Sequence, residues 1–171
     1  NGGLGESATT EVKPGTDALA HVRFAAVRDT SGNLHTVYVN RNDDVVHYRK
    51  ANGFNDSWSR ISTDVTQAAA VIDRVALAAV RGNNLYLLYS KSDAGIYYRR
   101  FDGASWGSES TLKAPSATPL QGALASIESA NDCSLGVAWT EGSVSPCNVM
   151  FSLGIGGCSE LGTIQAAGTL T

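Results

Sequence analysis

Three groups of residues have types and spacings that suit chemistry. Arg28 and Arg81 each close an Ala-Ala-Val-Arg run, so the two guanidinium groups recur at matched places. Tyr48-Arg49-Lys50 and Tyr98-Arg99-Arg100 set aromatic rings beside cationic donors. That combination binds sugars, the ring by stacking and the hydroxyls by hydrogen bonds, and these six are the candidate binding residues Arg28, Arg81, Tyr48, Arg49, Tyr98 and Arg99. Side chains that recur in every repeat also serve packing, with tyrosine in the core and arginine reaching out along its stem. In an extended strand Tyr48 and Lys50 share one face, and His47 and Arg49 share the other.

The third group is Cys133, Cys147 and Cys158, all in the last third of the chain. No Cys-x-x-Cys spacing suggests zinc, and one disulfide with one leftover thiol fits an oxidising compartment. With strands expected over 123–128, 134–140, 147–152 and 158–164, Cys133 and Cys158 fall at the same end of the sheet. They are the first choice for a bridge, provided that their loops bend inward. His21, His35 and His47 sit on different strands without metal-ligand spacing. Asp43-Asp44 and Asp93 read as hairpin turns rather than a calcium loop. No Gly-x-Ser-x-Gly, phosphate-loop or dinucleotide glycine pattern occurs, so neither a cofactor, a metal nor a catalytic residue is assigned. Asn55-Asp56-Ser57 is a glycosylation acceptor only in a eukaryotic secretory context.

The elements that must carry these residues repeat. Leu34, Leu85 and Leu135 are spaced 51 and 50 apart, as are Tyr38, Tyr89 and Trp139, and Val46–Lys50 matches Ile96–Arg100 at a distance of 50. The first two units close on Trp58 and Trp106. In the second unit strands are expected at 74–81, 84–90, 95–101 and 106–112, broken by turn-forming Gly, Asn, Asp and Ser. A four-stranded antiparallel meander repeated about every 50 residues is the pattern of a β-propeller blade. The expected fold is therefore all-β with three blades, half of a six-bladed ring. Residues 21–72, 73–122 and 123–171 are blades one to three, with 65–72 as a linker. Residues 1–20 form a leading segment whose Ser7–Lys13 stretch pairs as a strand with a neighbouring blade or chain.

Composition narrows the classes further. The 171 residues carry 43% hydrophobic side chains and a net charge of −3, which excludes a disordered chain. Lys and Arg number 13 against 16 acidic residues, which argues against a nucleic-acid partner. No run approaches 18 apolar residues, so no membrane span is expected. All 13 basic residues precede residue 114, leaving a charge-poor last third suited to packing on another chain. Asn-Gly-Gly at the start has no signal-peptide features, so the sequence reads as a mature, trimmed or excised product.

At Asn84–Leu112 above all, and across residues 21–164, the chain resembles bacterial β-propellers of the sialidase-like, Asp-box (BNR) superfamily. Phe101-Asp102-Gly103-Ala104-Ser105-Trp106 keeps the Asp, Gly and Trp of the Asp-box at altered spacing. The resemblance implies the propeller fold, and for sialidases an arginine triad. Arg28 and Arg81 offer two members, while the third unit has Glu128 or Ser129 near that place. Propellers close with four to eight blades. Three blades thus call for a twofold pair making six, a different completing chain, or a longer parent. The expected function is an extracellular or cell-surface, non-catalytic propeller module for interaction or surface structure, in contact with glycans. The alternatives are a glycoside hydrolase or polysaccharide lyase, and a subunit of a surface filament.

Overall fold

Asp29 shows how the first hairpin is made. Its carbonyl accepts the Gly32 N–H at 3.0 Å and its carboxylate accepts the Asn33 N–H at 2.8 Å. Gly32, at φ 86°, completes a turn that L side chains disfavour. Turns of this kind separate short runs rich in Val, Leu and Tyr, and the computed structural model places those runs as strands. It describes residues 23–40, 42–51, 57–66, 71–80, 83–128, 134–142, 148–155 and 165–170. Arg81, all three cysteines and the leading segment to residue 22 lie outside the described residues. The expectations placed on them, the Cys133–Cys158 bridge included, lie there too.

The first sheet comprises β1 (Phe24–Arg28), β2 (Leu34–Val39), β3 (Val45–Lys50) and β4 (Trp58–Ser62). The second comprises β5 (Ile72–Val80), β6 (Asn84–Lys91), β7 (Ile96–Phe101) and β8 (Ser110–Lys113). The third comprises β9 (Leu120–Glu128), β10 (Ser134–Glu141), β11 (Asn148–Ile155) and β12 (Gln165–Leu170). Each sheet is an antiparallel meander in chain order, and β1, β5 and β9 run beside one another, so the sheets are stacked as propeller blades. The last strands begin later than expected. Trp106 makes only an isolated bridge to Phe101 ahead of β8, and β12 starts at Gln165.

Two cores lie between blades. Val37, Val39 and Val45 of the first blade meet Leu77, Leu85, Leu87, Tyr89 and Phe101 of the second. On the other face of the second blade, Ala78, Tyr86, Leu88, Ile96 and Tyr98 meet Leu135, Val137 and Trp139 of the third. Each blade thus has a leading face, turned to the blade before it, and a trailing face, turned to the blade after it. Leu34, Leu85 and Leu135 all belong to leading faces.

Sheet register corrects one detail of the repeat. Tyr38 pairs with Val46 and Tyr89 with Tyr97, so the two hairpins have equal length and the offset of 51 persists through the third strands. Matching Tyr48-Arg49 to Tyr98-Arg99 at 50 is one residue out of register, and one residue turns a side chain to the opposite face. Tyr48 lies on a leading face with Tyr38, their rings 6.1 Å apart, whereas Tyr98 lies on a trailing face.

Candidate functional site

The densest polar constellation lies between the first two blades. His35 Nε2 is 3.1 Å from Asp29 Oδ2, His35 Nδ1 is 2.9 Å from His47 Nε2, and the Trp106 indole donates to His47 Nδ1 at 3.2 Å. The indole is only a donor, which fixes every proton in the chain. His47 accepts at Nδ1 and donates from Nε2; His35 accepts at Nδ1 and donates from Nε2 to the carboxylate. Both imidazoles are therefore neutral and fully used. Burial, with the charges of His35 and Arg49 adding to it, pushes His47 down to about 3. Burial also lowers His35, against the opposing pull of Asp29. Burial would raise Asp29, yet hydrogen bonds from Asn33 and His35 outweigh it and hold the carboxyl below its usual range. Phe101 seals the row, its ring 5.2 Å from that of His47.

An Asp-His-His row resembles a proton relay, but a general base must reach the proton it removes. His35 and His47 are 1% and 0% exposed, and the far end of the row is an indole rather than a nucleophile. The row is an interblade tie. Sequence reading took the two histidines as ordinary strand residues. The missed signal was their place on one hairpin: Val37 pairs with His47 and His35 with Arg49, which makes the histidines diagonal neighbours on one face.

Above the row the same hairpin opens to solvent. Arg28, Asp29, Thr30, Ser31 and Gly32 line an open depression of about 360 Å³. The second blade holds its floor: Asn83 Oδ1 accepts the Thr30 hydroxyl at 2.7 Å, the Ser31 N–H at 3.0 Å and the Ser31 hydroxyl at 2.9 Å. Arg28 Nε donates to the Gly32 carbonyl at 3.3 Å, which holds the exposed guanidinium along the rim. Cationic N–H groups and hydroxyl lone pairs on a fixed loop suit a hydroxyl-rich or anionic ligand.

At the opposite end of the second blade's leading face, Glu109 accepts the Tyr89 hydroxyl and pairs with Lys91 at 2.8 Å. The Lys91 ammonium lies 4.1 Å from the Tyr97 ring centroid, and Tyr97 donates to Asp93 at 2.7 Å. Burial and the bond to Asp93 raise Tyr97 to about 12, and burial with the bond to Glu109 raises Tyr89 as well. Among the described residues no group of three His, Cys, Asp or Glu side chains is arranged to hold a metal ion.

Of the six residues picked from sequence Arg81 lies outside the described residues, and the other five do not converge. Arg28 is on the rim of the depression. Tyr48 is buried on the leading face of the first blade, and Arg49 stands on the trailing face beside the histidines. Tyr98 packs near Tyr86 toward the third blade, ring centroids 6.2 Å apart. Arg99, 8% exposed, donates to the carbonyls of Thr66 at 2.9 Å and Gly107 at 3.1 Å, a tether rather than a ligand contact. Asp102 accepts the N–H groups of Ala104 and Ser105 at 2.9 and 2.8 Å, which explains the Asp-Gly turn locally.

Among known proteins, the chain matches no family model and no curated protein. Solved structures do resemble it. A variant of the Aleuria aurantia lectin in complex with an α1-6-linked fucosyl-N-acetylglucosamine superposes with a TM-score of 0.63 at 13% identity, over 89% of this chain and 49% of the lectin. The same lectin with α-methyl-L-fucoside gives 0.63 at 14% identity, over 90% and 50%. A third structure, a fungal lectin described as a six-bladed β-propeller with a novel fucose recognition mode, gives 0.60 at 14%, over 89% and 50%. The fold is thus a β-propeller, and the chain spans about half the length of the structures it matches, as three blades of six do.

Proposed function

We propose that the chain is a non-catalytic, extracellular glycan-binding module that works within a closed ring of blades. The observation that carries this reading is the open depression over Arg28–Gly32, whose guanidinium and hydroxyls are fixed by the hairpin and by Asn83. A preformed, shallow, polar site suits reversible capture of a hydroxyl-rich ligand. The complexes of its structural neighbours with fucosides support the same ligand class. The rival reading, a sialidase-like hydrolase or a lyase, needs an acid and a base facing one cleft. Asp29, Asp93 and Glu109 instead spend their oxygens on fixed partners.

Glycan-array binding followed by calorimetry with the best ligand tests the reading. Arg28→Ala should weaken binding at least tenfold, while Lys113→Ala, whose ammonium bonds the Ala94 carbonyl in the hairpin at the other end of the second blade, should leave it unchanged. Turnover of sialosides or polyuronides by the chain would overturn it in favour of the enzyme.

A further inference from the structure

We propose that the depression over Arg28–Gly32 selects neutral sugars, held through adjacent hydroxyl groups, and turns away carboxylate and sulfate groups although an arginine stands on its rim. This rests on the glycan reading above and deepens it by naming the class of glycan.

Hydrogen-bond directions on the loop set this preference. Asn83 Oδ1 meets the Ser31 N–H at 3.0 Å, and a backbone N–H only donates, so the atom it meets is the amide oxygen. The Thr30 and Ser31 hydroxyls reach that same oxygen at 2.7 and 2.9 Å, so each has its single proton committed there. The Asn83 N–H donates back to Thr30 Oγ1 at 3.3 Å and takes up one of its lone pairs. What the two exposed side chains turn to solvent is therefore lone pairs. The Arg28 guanidinium, held against the Gly32 carbonyl by Nε at 3.3 Å, only donates. Acceptors and a donor thus stand together on one short loop. A sugar hydroxyl both donates and accepts, so one hydroxyl gives its proton to Ser31 Oγ while its neighbour accepts from Arg28. An ionised carboxylate or sulfate has no proton to give, and at Ser31 and Thr30 it faces lone pairs. Charge does not favour it either. Asp29 lines the same depression beside Arg28 in sequence, and bonds from Asn33 and His35 hold its carboxyl below the usual range. The ionised Asp29 offsets the guanidinium, and the neutral histidines behind it add no positive charge.

Glycan-array binding, then calorimetry with the strongest neutral hit and with its uronate and sulfate-ester counterparts, tests the selectivity. The neutral glycan should bind about tenfold more tightly or better. Its affinity should change by less than about twofold between about 0.05 and 0.5 M salt, because it makes no ion pair for salt to screen. Stepwise O-methylation of that glycan should find one hydroxyl whose lost proton costs about tenfold in the wild type and nothing further in Ser31→Ala. Asn83→Gly should raise the affinity for the uronate severalfold, since Thr30 and Ser31 then have protons to donate, whereas a merely structural floor would lower both affinities alike. Circular dichroism checks the fold of each variant; should one fail to fold, the wild-type preference and its salt dependence still decide. Tighter binding of the uronate or sulfate ester, or an affinity that falls steeply with salt, overturns the selectivity and leaves the glycan reading in place. An array without a bound glycan removes that reading and the selectivity with it.

Discussion

Leu34 and Leu85 stand at the same place in two consecutive blades, one 43% exposed and the other sealed. Along β2 burial alternates residue by residue, whereas Asn84 to Ser90 of β6 are buried on both faces. The chemistry of the two strands is similar, so what differs among the described residues is the number of neighbouring blades: β6 lies between two and β2 has one behind it. A propeller strand therefore carries the same apolar pattern whether or not its surroundings are complete. The free energy of that pattern is realised only where the next blade arrives.

Substituting the matched leucines is the sharpest way to break this comparison. Leu85→Ala should cost about 3 kcal/mol in urea unfolding, through lost burial and the cavity left behind. Leu34→Ala should cost well under about 1 kcal/mol in dilute protein, the range of exposed positions. Equal losses would mean that Leu34 is covered within a single chain.

The two interblade contacts also differ, one held partly by the histidine row and the other by apolar and tyrosine side chains. His47→Ala should strand the Trp106 indole and His35 Nδ1, at about 2–3 kcal/mol in the same assay. Acid should act on the first contact selectively. Both histidines have folded pKa values below their ordinary 6.5, so the unfolded chain binds more protons once the pH falls below that value. The row's contribution is complete above pH 6.5 and declines toward about 3, where His47 protonates in the fold. Urea midpoints of the wild type should drop across this window. A His35→Gln, His47→Gln double variant should drop less, and an identical pH profile would refute the assignment. The smallest effect is expected at the rim: Asn83→Gly keeps the left-handed backbone at φ 62° but removes the acceptor for Thr30 and Ser31, costing about 1 kcal/mol.

Much of the architecture was legible in advance because blades repeat local patterns. Spacings of 50 and 51, turn residues and runs of Val, Leu and Tyr marked three meanders, and second strands beginning at Leu34, Asn84 and Ser134 follow them closely. Strand ends were less legible, since Trp106 and Gln165 take their places from sheet pairing rather than from local composition. The site was the least legible part. Identity between Tyr48-Arg49 and Tyr98-Arg99 suggested one repeated surface, and a register difference of one residue placed the two tyrosines on opposite kinds of face. The Asp29–Trp106 row escaped notice because its members come from two blades, 77 positions apart between its ends.

The sequence by itself determined the all-β class, the blade repeat and the turns, since each follows from short-range alternation and from the backbone preferences of Gly, Asn and Asp. Only the tertiary structure decided which face each side chain serves, which histidine protons point where, and which of the repeated leucines is buried. Those outcomes depend on hairpin register and on the approach of another blade, and no window of adjacent residues contains either.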